Sequence, residues 1–211
     1  MSLVSRIATA APGAPTLLAL HGRGGAEGDL LGLGEALGTG VGVLAPRGPE
    51  AEGGGYAWFR HHAIGVPDLP SLDERLAEVA AWLEGAVAAH GLATPLTAVG
   101  FSNGGMMAGA LAAARPDLVG DVALLSSAYP LPPSVVGLGG LRGRRVLAAG
   151  GEEDPFLPMD TAQEGIASYR AAGAEVTEAW RPGGHGVGPE EVAALRDWLG
   201  ARPDRGDQPA A

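Results

Sequence analysis

VGFSNGGMMAG, residues Val99–Gly109, sets a serine between glycines at the junction of two unlike patterns. Upstream, PLTAVGF is an apolar, β-branched run that reads as a buried strand, bounded by Thr94-Pro95. Downstream, GGMMAGALAAARP is rich in Ala, Leu and Met and reads as a helix stopped near Arg115-Pro116. Ser102 therefore falls on a strand-to-helix turn. Gly100, Ser102 and Gly104 fit the G-x-S-x-G pattern of a nucleophile elbow. A turn that sharp forces the serine into a strained backbone conformation. The flanking positions must be small because neighbouring elements pass close by. The hydroxyl then projects above the sheet, with the positive end of the helix dipole beneath it. The pattern alone is weak in a chain with 36 glycines among 211 residues. The strand before it and the helix after it give it weight.

Outward from this turn, composition narrows the chemistry. At 46% hydrophobic and 18% charged residues, the chain is globular and long enough for one domain with a sizeable core. Gly and Pro make up a quarter of it, but they fall between clean apolar runs and read as turns. Cysteine is absent, which excludes disulfides, thiolate nucleophiles and cysteine metal sites. Lysine is also absent, which excludes Schiff-base chemistry. The net charge of −10 argues against nucleic acid and anionic membrane surfaces as partners. No run of apolar residues is long enough to span a bilayer, and MSLVSRIATAAPGAP lacks the pattern of a signal peptide. The expectation is a cytoplasmic protein.

Strand-like and helix-like runs alternate along the chain. LVSRIATA reads as a short edge strand, TLLALHG and VGVLAP as strands, and AEGDLLGLGEALG as a modest helix. Residues 47–69 read as one long loop. SLDERLAEVAAWLEGAVAAHG reads as an amphipathic helix with Ser71 and Glu74 as its capping box. After the elbow come DVALLSSA and RRVLAAG as strands, MDTAQEGIASYRAAG as a helix, AEVTEAWRPG as a strand and GPEEVAALRDWLG as a helix. The alternation predicts a doubly wound, mostly parallel sheet flanked by helices, an α/β fold in a single domain over residues 1–200. The polar tail over 201–211 is expected to be disordered. In such sheets, sites gather at the carboxyl ends of strands.

A serine hydroxyl needs an adjacent base, and the base needs an orienting carboxylate. Five histidines are available. His90 closes a helix, where it favours the C-terminal dipole. His61 and His62 lie in the long loop, either solvated or lining a cleft. His21 precedes a tight glycine turn and reads as structural. His185 stands in RPGGHGVGP, after a strand and between glycines that let the imidazole approach another backbone. It is the expected base. For the acid, GGEEDPFLP offers Glu152, Glu153 and Asp154. The order Ser102, Asp154, His185 matches the chain order of α/β-hydrolase triads and selects Asp154. The oxyanion hole is expected from the backbone N–H groups of Asn103 and of Arg23 in HGRGG. HGRGGAEGDL lacks the Gly-Lys-Ser/Thr ending of a P-loop, and GRGGAEG does not fit the dinucleotide fingerprint. Trp58, Phe59, Phe156 and Leu157 either wall a substrate pocket or pack in the core.

LLALHGRGG, APRGP, YAWFRH, VGFSNGGMMAGALAAARPD, VLAAGGEEDPFLP and EAWRPGGHGVGPEEVAALRDWL appear in succession. Together they resemble the blocks of the phospholipase/carboxylesterase family of small α/β-hydrolases, over roughly residues 14 to 200. That family includes bacterial carboxylesterases and acyl-protein thioesterases. The resemblance implies Ser102 as nucleophile, Asp154 as orienting acid and His185 as base, with no cofactor and no metal. It implies a carboxylesterase, and the sequence carries no large apolar lid, which points to small to medium acyl groups. Thioesterase or lysophospholipase activity on the same residues, or a non-catalytic binding module on the same fold, are the alternatives. The implied partner is a small ester substrate, and a homodimer is left open. Asn103 stands where the thioesterase branch usually carries Gln.

Overall fold

The computed structural model describes residues 3–38, 40–63 and 66–201. The expected tail thus lies outside the described residues except for Ala201. Eleven strands and five helices are described. In chain order they are β1 (Ser5–Ala8), β2 (Thr16–Leu20), α1 (Leu33–Leu37), β3 (Gly42–Pro46), β4 (Glu50–Glu52), β5 (Gly55–Ala57), β6 (His61–Ala63) and β7 (Val66–Pro67). There follow α2 (Leu69–His90), β8 (Leu96–Phe101), α3 (Asn103–Ala114), β9 (Val119–Leu125), β10 (Arg145–Gly151), α4 (Met159–Ala171), β11 (Glu175–Arg181) and α5 (Pro189–Gly200).

The main sheet has seven strands in the order β1-β3-β2-β8-β9-β10-β11. All its pairings are parallel except that of the edge strand β1 against β3. The chain winds outward from β2 to β3, then returns to lay β8 on the other side of β2, in the register Leu17↔Thr97 to Leu20↔Gly100. That reversal between β2 and β8 is a topological switch point, where neighbouring crossovers part and leave a crevice above the carboxyl ends.

Helices cover both faces, because each central strand is apolar on both. Leu17, Val99, Ala123 and Leu147 point to one face and pack with Leu33 and Leu37 of α1 and Leu195 and Trp198 of α5. Their neighbours Leu18, Ala98, Val122 and Val146 point to the other. There they meet Leu72 and Leu83 of α2 and Met107 and Leu111 of α3. The period of two along each strand thus builds two cores from one run of residues. Among the described residues no helix is long and apolar enough to cross a membrane.

Three local expectations need correction. The long loop over 47–69 holds two short hairpins, β4–β5 and β6–β7. The first turns on Gly53 and Gly54, at φ 56° and 86°, the two positive values that a tight two-residue hairpin turn requires. Helix α2 starts two residues before Ser71. Asp68 caps it by accepting the Ser71 N–H at 3.1 Å, while Ser71 Oγ accepts from Arg60 N–H at 3.1 Å. The modest helix expected over 26–38 shrinks to the five residues of α1. Glycines at 28, 32 and 34 hold its helix propensity low, and the chain before Leu33 runs as turns.

Candidate active site

Each expected site residue follows the carboxyl end of a parallel strand. Arg23 follows β2, Ser102 follows β8, Asp154 follows β10 and His185 follows β11. Ser102 is at φ 51°, in a region that L side chains rarely adopt, as the sharp turn demands. The small flanking positions have a visible cause. A Cβ at Gly100 would run into the backbone of Gly104 and Gly105, and one at Gly104 into the carbonyl oxygens of Leu20 and His21.

His185 and Asp154 are in direct contact. His185 Nδ1 donates to Asp154 Oδ2 at 2.7 Å. An ionised carboxylate only accepts, so this bond fixes the proton on Nδ1 and leaves Nε2 to accept one. Asp154 is buried. Its second oxygen accepts the N–H groups of Phe156 and Leu157 at 2.8 and 3.2 Å, which lock the carboxylate in place. Glu152 and Glu153 point to solvent. Two rings pack on the imidazole: Phe101 at 4.9 Å and Phe156 edge-on at 5.0 Å between centroids.

Ser102 and His185 share the wall of one cavity of about 250 Å³, together with Arg23, Asn103, His61 and Pro67. Phe101, Met106, Tyr129 and Phe156 complete it. No hydrogen bond joins the Ser102 hydroxyl to His185 among the described residues. In an unliganded site such bonds are commonly long and tighten only with substrate. Among the described residues the Arg23 and Asn103 N–H groups donate to no protein acceptor, so both are available to a ligand atom.

The four expected wall residues divide. Phe156 lines the cavity and is 41% exposed. Trp58, Phe59 and Leu157 are buried in the core instead. Trp58 has a polar duty as well: its indole N–H donates to the His21 carbonyl at 2.8 Å.

His61 and His62 also separate, because adjacent strand residues face opposite ways. His61 lines the cavity and His62 faces solvent. Burial pushes the His61 pKa below its usual range, and the nearby Arg23 charge adds to this. His21 is a core residue. Nδ1 donates to the Gly22 carbonyl at 2.7 Å, and Nε2 accepts the Gly48 N–H at 2.9 Å. Burial also holds its pKa low, in keeping with a neutral ring.

Sequence reasoning missed several cavity residues. Met106 and Phe101 had a readable signal, lying one helical turn after and one residue before Ser102. Tyr129 is less legible. Burial and the Asp154 charge push its pKa up to about 12, and its hydroxyl donates to the Phe156 carbonyl. The Asn103 side chain was also missed. Its Oδ1 accepts the Trp58 N–H at 2.7 Å, and its Nδ2 lies 3.5 Å from His61 Nε2, tying the elbow to the hairpin segment. Among the described residues no cluster of His, Asp and Glu is arranged to hold a metal ion.

Known proteins share this fold. No family model matches the chain. Over 183 residues it is 30% identical to the Bacillus subtilis (strain 168) protein named "Putative hydrolase MhqD", spanning 86% of this chain and 90% of that one. The crystal structure of the Bacillus cereus carboxylesterase matches with TM-score 0.85 at 29% identity, covering 94% of this chain and 93% of that chain. The carboxylesterase from Mesorhizobium loti matches with TM-score 0.78 at 26% identity over 89% of each chain. Fold and relatives define the class as an α/β-hydrolase. The chain belongs to the phospholipase/carboxylesterase family of small α/β-hydrolases.

Proposed function

We propose that the protein is a serine esterase that cleaves small to medium carboxylic esters through Ser102, His185 and Asp154. One observation carries this reading: a serine at φ 51° opens onto the same cavity as a histidine whose Nδ1 is held by a buried aspartate at 2.7 Å. Ser102 Oγ attacks the ester carbonyl carbon while His185 Nε2 takes its proton. The developing oxyanion is met by the N–H groups of Arg23 and Asn103, whose positions are fixed before the reaction begins. Asp154 holds the ring and stabilises the imidazolium. His185 then returns the proton to the leaving alkoxide, which departs as the alcohol. In the second half His185 deprotonates a water that attacks the acyl-enzyme, and Ser102 is regenerated.

The named activities of the Bacillus cereus and Mesorhizobium loti proteins support an ester over other acyl substrates. A cavity of about 250 Å³, walled by Phe101, Met106 and Phe156, supports a short apolar acyl or alcohol group. No step of this mechanism requires a cofactor or metal.

A fluorophosphonate probe and a graded series of p-nitrophenyl esters test the reading. The expected result is one covalent adduct, mapped to Ser102, with kcat/KM highest for short acyl chains. A protein that hydrolyses the esters but is labelled elsewhere would remove Ser102 from the mechanism. A protein that neither reacts with the probe nor turns over any ester would end the esterase reading, and thioester turnover would redirect it.

A further inference from the structure

Apart from Ser102, one other residue that is not glycine has positive φ: Ser126, at 47° among the described residues. It directly follows β9 and is fully buried. Its backbone N–H stays on the sheet, donating to the Ala149 carbonyl at 2.7 Å, while the positive φ turns its side chain toward the loop after β11. There the hydroxyl donates to the Gly186 carbonyl at 3.1 Å and lies 3.5 Å from the Gly186 N–H. Gly186 is the residue after His185. The next residue, Ser127, reaches the other way, its hydroxyl donating to the Ser102 carbonyl at 2.6 Å.

The loop that carries His185 cannot set its own shape. Glycines stand at 183, 184, 186 and 188, and each adds backbone freedom. Its ends are tied: Glu153 N–H donates to the Gly183 carbonyl at 2.9 Å, and Gly188 N–H to Glu191 Oε2 at 2.8 Å. Among the described residues, the Ser126 hydroxyl is what hydrogen-bonds the backbone over 185–187. Asp154 holds the imidazole through Nδ1, and Phe101 and Phe156 pack on its ring, but none of these contacts fixes the backbone beside it. Fixing Nε2 over Ser102 needs the backbone beside His185 fixed as well.

We propose that Ser126 is a positioning residue for the base. Its hydroxyl clamps the Gly186 peptide and so aims His185 Nε2 at Ser102, and its unfavourable φ is what brings the hydroxyl there. The proposal rests on the serine-hydrolase reading, since it acts through His185.

Ser126→Gly separates the two duties of the residue, because glycine accepts φ 47° without strain but has no hydroxyl. The expected result is a melting temperature equal to or above the parent's, with kcat on p-nitrophenyl acetate reduced roughly tenfold and KM within roughly twofold. Ser126→Ala, which keeps the strained backbone and loses the hydroxyl, should lose kcat to a similar extent. In a His185→Ala background, Ser126→Gly should change the residual rate no further, because the residue acts through the base. A Ser126→Gly protein with parental kcat would overturn the proposal. So would losses of kcat that merely follow losses of melting temperature in both variants. If His185→Ala itself kept full activity, the triad reading would fail instead.

Discussion

Asp154 stands in a row of three acids, and only its side chain turns inward. Its oxygens are spent on His185 Nδ1 and on the N–H groups of Phe156 and Leu157, while Glu152 and Glu153 are exposed. Asp154→Asn keeps the shape but offers an amide N–H or a weaker acceptor to the ring, which disturbs the tautomer that the base needs. We expect kcat to fall by about 10³-fold or more in Asp154→Asn, as in Ser102→Ala, with the far-UV spectrum and melting curve little changed. Glu152→Gln and Glu153→Gln should stay within about threefold of the parent, since surface charges far from solvent-excluded chemistry contribute little. Ester kinetics on the four variants check this, and an inactive Glu153→Gln beside an active Asp154→Asn would transfer the role.

At the scale of elements, the elbow depends on how closely β2, β8 and α3 approach one another. A methyl at Gly104 would be driven into the carbonyl oxygens of Leu20 and His21, backbone that cannot yield without moving β2. Gly104→Ala should therefore either fail to accumulate as folded protein or melt well below the parent, by an amount of about 1–3 kcal/mol for overpacking. Helix α2 makes a milder case. Asp68, not Ser71, satisfies its first turn, so Asp68→Ala should cost about 1 kcal/mol in urea unfolding. Ser71→Ala would remove the acceptor of Arg60 N–H instead, which loosens the hairpin segment rather than the cap.

In the whole molecule, a buried ion pair within the sheet also ties the sheet to the helix layer that carries α5. Arg145 on β10 binds Asp121 of β9 at 3.0 Å, donates to the Trp198 carbonyl of α5 at 2.8 Å, and lies 4.6 Å from the Trp198 ring. Both charged residues are buried. Removing one partner strands the other, so Asp121→Ala should cost about 3–5 kcal/mol by chemical denaturation. Acid should also unfold the protein by a definable route. The Arg47 guanidinium holds the Glu27 carboxyl down to about 2 from its ordinary 4.5. A depressed acid stabilises the folded state above its unfolded pKa, and that contribution drains away as pH falls from about 4.5 toward about 2. His21, held low by burial, adds a loss that begins higher, below its ordinary 6.5, because only the unfolded chain takes up that proton readily. Melting temperature should thus decline from pH 7 to pH 3, and Glu27→Gln should flatten the lower part of that decline. An unchanged slope in Glu27→Gln would remove the pair from the acid response.

Sequence alone determined the alternation of strands and helices, because period-two and helical apolar patterns are local and the chain repeats them cleanly. It also determined the strained serine between obligate glycines, since the elbow's geometry is written in five consecutive residues. The order Ser102, Asp154, His185 was legible for the same reason: each follows a strand end. Tertiary structure alone decided what distance along the chain conceals. Which aromatic residues of 50–67 face the cavity depends on how the hairpins fold back over the elbow, so Trp58 and Phe59 sank into the core while His61 reached the site, which Tyr129 enters from the segment after β9. Asp154, chosen over its neighbours from chain order, owes its inward turn to burial and to two backbone N–H groups. The hold of Ser126 on Gly186 joins residues 60 apart. Such contacts leave no periodic trace, because they are made by the ends of strands meeting in space rather than by the repeat of any one element.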